Sequence, residues 1–152
     1  MRGVRGGEEV EWVAELKAAV MRRDLERLGR YDHHRARQRV RDSFGGEHSR
    51  VIEAGGRPVG SLTVRPGAGG GLTLEHFYLD PAHQGRGIGT RVLEGVLAAA
   101  DAEGAEVRLT VLRGSAARGL YERYGFTVED QDEVDVHMVR AVRAGAAGPG
   151  GS

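Results

Sequence analysis

Cysteine is absent from the 152 residues, which excludes disulfides, thiolate metal ligands and a thiol nucleophile. Lysine is nearly absent: Lys17 is the single one, every other basic residue being arginine, a bias consistent with GC-rich codon usage. Net charge is also missing, with 22 basic residues against 22 acidic ones, so nothing draws the chain toward nucleic acid or an anionic membrane in general. No apolar run approaches the roughly 20 residues of a membrane span. The opening Met1-Arg2-Gly3-Val4-Arg5 lacks the apolar segment of a secretory signal. The histidines His33, His34, His48, His83 and His137 do not fall at metal-ligand spacing, and no metal is expected. The expectation is a cytoplasmic enzyme without nucleic-acid or membrane partners.

What is present suits one domain. With 39% apolar residues the chain can bury a modest core, and domains commonly run to about 100–200 residues. We expect a single domain over 1–143 and a flexible Gly/Ala/Pro tail over 144–152, where no packed element can be written.

The most informative stretch begins with the strand formers Leu72, Leu74, Phe77, Tyr78 and Leu79 and stops at Asp80-Pro81. It then passes through Gln84-Gly85-Arg86-Gly87-Ile88-Gly89-Thr90 into a helical pattern, with Ile88, Val92, Val96 and Ala99 or Ala100 on one stripe. Strand, glycine loop and helix follow one another. A helix start offers unpaired N–H groups and the positive end of a macrodipole, and glycines let an anion approach that backbone closely. The loop therefore reads as a phosphate cradle. It is not a dinucleotide-binding G-x-G-x-x-G, because its spacing is G-x-G-x-G; nor is it a Walker A loop, which needs Gly-Lys-Ser/Thr.

Around this centre, Arg2 to Arg5 reads as a short strand and Glu8 to about Val20 as an amphipathic helix opened by Glu8, Glu9 and Glu11. A basic helix follows from about Asp32 to Ser43, carrying Arg35, Arg37, Arg39 and Arg41; it reads either as a solvated face or as a border of an acceptor pocket. Short β-type runs flank Gly55-Gly56-Arg57 as a hairpin, and Pro66 to Gly71 is a turn. A strand at Val107–Leu112, a short helix from Ser115 to Gly125, and strands near Thr127–Glu129 and Val134–Val142 complete the pattern. Strand, helix and strand in succession imply a parallel crossover.

Gln84-x-Arg86-Gly87-x-Gly89 after a strand resembles motif A of the GNAT superfamily of acetyl-CoA-dependent N-acetyltransferases. Ala117, Leu120, Tyr121, Gly125 and Phe126 resemble its motif B, commonly N-x-A-x-x-L-Y-x-x-x-G-F, with Ser115 at the usual Asn position. The resemblance covers about Val51 to Arg140. It implies an α/β (α+β) GNAT fold: a mixed central sheet flanked by helices and splayed at its central parallel strand pair. It implies acetyl-CoA as co-substrate, with Gln84, Gly85, Arg86, Gly87, Ile88, Gly89 and Thr90 on the pyrophosphate. The backbone of Phe77, Tyr78 and Leu79 would take the cofactor arm and acetyl oxygen, and Ser115 the pantetheine region.

Aminolysis of a thioester needs a neutral amine, stabilisation of the carbonyl oxygen and a proton for the departing thiolate. By resemblance Tyr121 is the general acid; its competing role is a core aromatic. Glu75, a carboxylate in an otherwise apolar strand, is the first choice of base, as the resemblance to diamine acetyltransferases with Leu-Glu-x-Phe also implies. His76 competes, since its ordinary pKa suits proton abstraction, but strand alternation sends the two to opposite faces; a water chain is the third route. The acidic run Glu129, Asp130, Asp132, Glu133 and Asp135 either draws in a cationic amine or forms a solvated loop. The expected reaction is acetyl transfer to a primary amine of a small molecule by direct attack in a ternary complex. The alternatives are an acyltransferase acting on a protein N-terminus or Lys, and a CoA-binding sensor module without turnover. Homodimers are common in the family, and a homodimer is compatible with this reading.

Overall fold

The computed structural model describes residues 1–142; the tail expected over 144–152 lies outside them. Seven strands form one mixed sheet in the order β1-β2-β3-β4-β5-β7-β6. By their contacts the residues divide into two compact units, Met1–Val64 with Glu75–Arg86, and Arg65–Leu74 with Gly87 onward.

The first unit starts with β1 (Arg2–Gly3), α1 (Gly7–Arg27) and α2 (His33–Ser43). Glu8 and Glu9 in the first turn of α1 complement its macrodipole. The helix runs past the expected end at Val20 to Arg27. Its last turns continue the apolar spacing through Met21, Leu25 and Leu28, all half-buried, and carry the charge pairs Arg22 with Glu26 and Asp24 with Arg27 at helical spacing. It stops where Gly29 turns left-handed at φ 69°, the conformation glycine adopts without a Cβ penalty. Asp32 caps α2 by accepting the N–H of Arg35 at 2.9 Å. Val13 and Ala14 of α1 pack with Val40 and Phe44 of α2, and Tyr78 is partly buried against them. A fully buried valine contributes about 1.5–3 kcal/mol, so the small Val13–Val40 contact is a substantial part of what joins these helices.

Two of the four arginines of α2, Arg37 and Arg41, are tied to α1, while Arg35 and Arg39 are exposed. Arg37 clasps Glu15 through two contacts of 2.7 and 2.9 Å, and Arg41 clasps Glu11 through 2.7 and 2.8 Å. Next come β2 (Ser49–Ala54) and β3 (Arg57–Pro66), an antiparallel pair closed by Gly55 and Gly56 at φ 60° and 78°. Both loop residues need positive φ in the hairpin turn whose twist matches the strands.

β4 (Leu72–Leu79) contributes its first three residues to the second unit and the rest to the first. Gly60 of β3 lies so close to β4 that an added Cβ would sit 2.5 Å from the carbonyl oxygen of Tyr78. At the other end of β4 the parallel ladder to β5 (Val107–Leu112) registers two pairs, Leu72 with Val107 and Thr73 with Arg108.

In the second unit α3 (Ile88–Glu103) buries Leu93, Val96, Leu97 and Ala100, the i, i+3, i+4, i+7 set of an amphipathic helix. Gly104 ends it in the left-handed region at φ 67°. α4 (Ala117–Arg123), β6 (Thr127–Gln131) and β7 (Asp135–Arg140) complete the chain, β7 pairing antiparallel with both β5 and β6. Buried Arg140 makes a two-point contact with Asp101 at 2.8 and 3.1 Å and donates from Nε to the Tyr124 carbonyl at 3.0 Å. A buried cation is tolerated when its donors are satisfied in this way.

Candidate active site

The loop into α3 is built from backbone choices that its sequence makes easy. Asp80 accepts the N–H of Ala82 at 2.9 Å and, with Pro81, starts a single 3-10 turn over Pro81–His83, which periodicity alone did not reveal. Gln84 donates its side-chain amide to the carbonyl of Leu79 at 3.0 Å, so this motif residue braces the loop onto the end of β4. Gly85 and Gly87 stand at φ 79° and 78°, a region closed to most L-residues. Gly87 is the N-cap of α3, and no side chain satisfies that helix start. The N–H groups of Ile88, Gly89 and Thr90 are therefore among the orphan donors of the first turn. Arg86 is exposed, and among the described residues no carboxylate pairs with it. A glycine-lined helix mouth with an uncommitted guanidinium fits a pyrophosphate.

On β4 the expected alternation does not hold. His76 stands at φ 47°, a left-handed kink that breaks the period-two pattern on which the Glu75 and His76 faces were assigned. Such a residue stores about 1–3 kcal/mol of strain and persists where its surroundings hold it. Here they do: Ser61 Oγ donates to the His76 carbonyl at 2.7 Å, and Ser43 Oγ lies 2.6 Å from Nε2. The ring also meets Phe44 and Tyr78 edge-on at 5.9 and 6.0 Å. Glu75, Phe77, Tyr78 and Leu79 are all partly exposed on this strand.

Tyr121 sits on α4 with 7% of its surface exposed, its ring edge-on to Phe126 at 5.5 Å. Burial pushes its phenol up to about 12, so it is protonated at any physiological pH. The ring is buried, but the hydroxyl is not among the buried polar atoms without a partner, so the polar end of the side chain reaches the surface. Ser115 accepts the N–H of Ala117 at 3.2 Å and so helps start α4, while its own proton stays available. Among the described residues no three His, Asp or Glu side chains gather as a metal site would, and no helix is long and apolar enough to cross a membrane.

The acidic run is largely committed to its own turn. Glu129 binds Arg108 at 2.7 Å, and Asp132 accepts the N–H groups of Val134 and Asp135 at 2.8 and 2.7 Å. Sequence reasoning passed over Lys17, which is buried on α1 at 5% exposure, and Ser43. The signal for Lys17 was its place on the apolar stripe with Val10, Val13 and Ala14; for Ser43 there was none, since its role depends on the kink at His76.

Residues 18–143 match the sequence model of the family described as Acetyltransferase (GNAT) domain. No curated protein sequence matches the chain. Among solved structures, the PaiA N-acetyltransferase of Thermoplasma acidophilum in complex with coenzyme A is 22% identical, with 88% of this chain and 93% of that one covered and a TM-score of 0.69. An aminoglycoside 6′-acetyltransferase type Ii is 14% identical, with 93% and 95% covered and a TM-score of 0.65. An Escherichia coli N-acetyltransferase named for an alanine of a ribosomal protein is 20% identical, with 74% and 78% covered and a TM-score of 0.57. At these identities the likeness is one of fold, and it agrees with the mixed sheet and its short β4–β5 ladder. The family match spans most of the chain, and with it the motifs on β4, α3 and α4 make this protein a member of the GNAT acetyltransferases.

Proposed function

We propose that the protein transfers the acetyl group of acetyl-CoA to a primary amine of a small molecule, by direct attack within a ternary complex. The observation that carries this reading is the mouth of α3, where Gly87 caps the helix in the left-handed region without any side-chain acceptor. The amides of Ile88, Gly89 and Thr90, with Gln84, Gly85, Arg86 and Gly87, would hold the pyrophosphate. The backbone of Phe77, Tyr78 and Leu79 and the hydroxyl of Ser115 would hold the arm that leads to the thioester. The co-substrate supplies an activated acyl group, and the chain's own part is orientation and proton movement.

Tyr121 is the acid in this scheme. Its phenol, held up to about 12 by burial, is fully protonated at neutral pH and donates a hydrogen bond that strengthens as negative charge develops on the departing thiolate. Glu75 takes a proton from the acceptor's ammonium, and the neutral amine that results attacks the thioester carbonyl. His76 is tied to its own kink through Ser43 and Ser61, and Glu75 remains our first choice of base. We expect the protein to act in the cytoplasm without a metal.

The solved relatives include one named for an aminoglycoside and one named for an alanine of a ribosomal protein, so the same fold is found in enzymes named for a small molecule and for a protein residue. Titration calorimetry with CoA and acetyl-CoA, followed by CoA release over a panel of amines and peptides, tests the proposal. Binding of both with turnover on small amines is the expected result. Turnover on peptides alone would move the acceptor to a protein terminus, binding without turnover would make the chain a CoA sensor, and absence of binding would remove the pyrophosphate assignment.

A further inference from the structure

His76 is the one non-glycine residue at positive φ among the described residues, at 47° within β4. Such outliers persist only where the surroundings over-determine them, and they gather at functional sites. Three side chains hold this one. Ser61 of β3, fully buried, donates its hydroxyl to the His76 carbonyl at 2.7 Å. Ser43, the last residue of α2, places its Oγ 2.6 Å from Nε2 of the ring and is itself anchored on the Arg39 carbonyl at 2.8 Å. Phe44, 5% exposed, meets the ring edge-on at 5.9 Å.

Nothing local asks for the kink. Leu74, Phe77 and Tyr78 around it are strand formers, which favour extended backbone, so the clamp works against the preference of its own strand. Its place in β4 gives it a use. The ladder to β5 registers two pairs, Leu72 with Val107 and Thr73 with Arg108, both ahead of the kink. A left-handed residue turns the peptide groups beside it out of the strand's alternation, and Phe77, Tyr78 and Leu79 follow directly.

We propose that His76 and Ser43 are positioning residues for the cofactor arm: Ser43 fixes the imidazole from the end of α2, and the imidazole fixes the kink that aims the backbone N–H groups of Phe77, Tyr78 and Leu79 at the acetyl-bearing end of acetyl-CoA. The inference rests on the acetyl-transfer reading. It gives His76 a part other than proton transfer, because the ring acts on the backbone and not on the amine.

Variants that separate ring from backbone test this. Calorimetry supplies the Kd for CoA, and CoA release with an accepted amine supplies kcat, at a temperature where circular dichroism shows each variant folded. Ser43→Ala lowers kcat about tenfold, the weight of one hydrogen bond, Ser43→Thr restores it, and both bind CoA nearly as the wild type does. Asparagine tolerates positive φ and valine does not. His76→Asn therefore keeps kcat within about tenfold of the wild type, whereas His76→Val loses about a hundredfold, as a displacement of about 1 Å can. Equal loss in these two variants would make His76 a base and overturns the proposal. So does a wild-type kcat in Ser43→Ala, which decides the matter even where His76→Val fails to fold.

Amide NMR supplies a reading without turnover. Added CoA shifts the resonances of Phe77, Tyr78 and Leu79 in the wild type and in Ser43→Thr, and shifts them less in Ser43→Ala; equal shifts in all three overturn the proposal. If this pattern appears but no amine is acetylated, the acetyl-transfer reading falls and the positioning of the arm stands. If amines are acetylated equally well by every variant, the transfer reading stands and the positioning role falls.

Discussion

Ser43 Oγ lies 2.6 Å from Nε2 of His76 while donating its own proton to the Arg39 carbonyl at 2.8 Å. A hydroxyl has one proton, so Nε2 of His76 must be the donor in the shared contact. Nδ1 lies 3.4 Å from the Tyr78 hydroxyl. The arrangement holds a proton on Nε2 of a residue whose backbone is already strained. Ser43→Ala removes the acceptor from Nε2 and is expected to cost about 1–2 kcal/mol in urea denaturation. Side-chain nitrogen NMR should show the His76 Nε2 resonance shifting in that variant.

Cofactor binding and proton delivery should separate in the kinetics. Arg86→Ala is expected to weaken acetyl-CoA binding roughly 10- to 100-fold, the worth of one charged contact, with little change in kcat. Tyr121→Phe should leave binding nearly unchanged and lower kcat by about 10²–10⁴, the usual range for a lost general acid. Glu75→Gln should lower kcat far more than His76→Gln. Equal effects of Arg86→Ala and Tyr121→Phe on binding would contradict the two roles.

Lys17 makes stability depend on alkaline pH. Its folded pKa is about 8, below the ordinary 10.5, so between those values the unfolded chain binds more protons than the folded one and stability rises with pH. Below pH 8 both states carry the charge and the penalty is fully present. Denaturation from pH 8 to 10 should show an increase approaching about 2–3 kcal/mol that is absent in Lys17→Met. Above pH 10 Tyr121 acts the other way: its phenol ionises near 10 in the unfolded chain and only at about 12 when folded.

Gly60 admits no side chain. An added Cβ would meet the Tyr78 carbonyl oxygen at 2.5 Å, a backbone atom that cannot swing aside. Gly60→Ala is therefore expected to destabilise by about 1–3 kcal/mol or more through overpacking. Gly95→Ala, where nothing lies within 4 Å, is the control and should be neutral or mildly stabilising in α3. Thermal midpoints of the two variants decide the matter.

The elements built on local rules were legible in the sequence. The glycine pair 55–56 marked the hairpin, Asp32 the start of α2, and the change of period at Asp80 the passage from β4 toward α3. What local rules do not encode was missed. The kink at His76 is held by Ser61 of β3 and Ser43 of α2, 15 and 33 residues away. The motif residues on the way into α3 were readable because glycine there answers a backbone requirement. Lys17 was readable only as a residue type, since its burial to 5% exposure depends on how α1 packs.

The scarcity of lysine has one more consequence. A catalyst that hands acyl groups to amines is surrounded by reactive thioester and is exposed to labelling of its own surface. Here the arginine side chains are guanidinium groups, protonated and poorly nucleophilic, and the one lysine side chain is 5% exposed on α1. The protein is thereby shielded from self-modification by its own reagent.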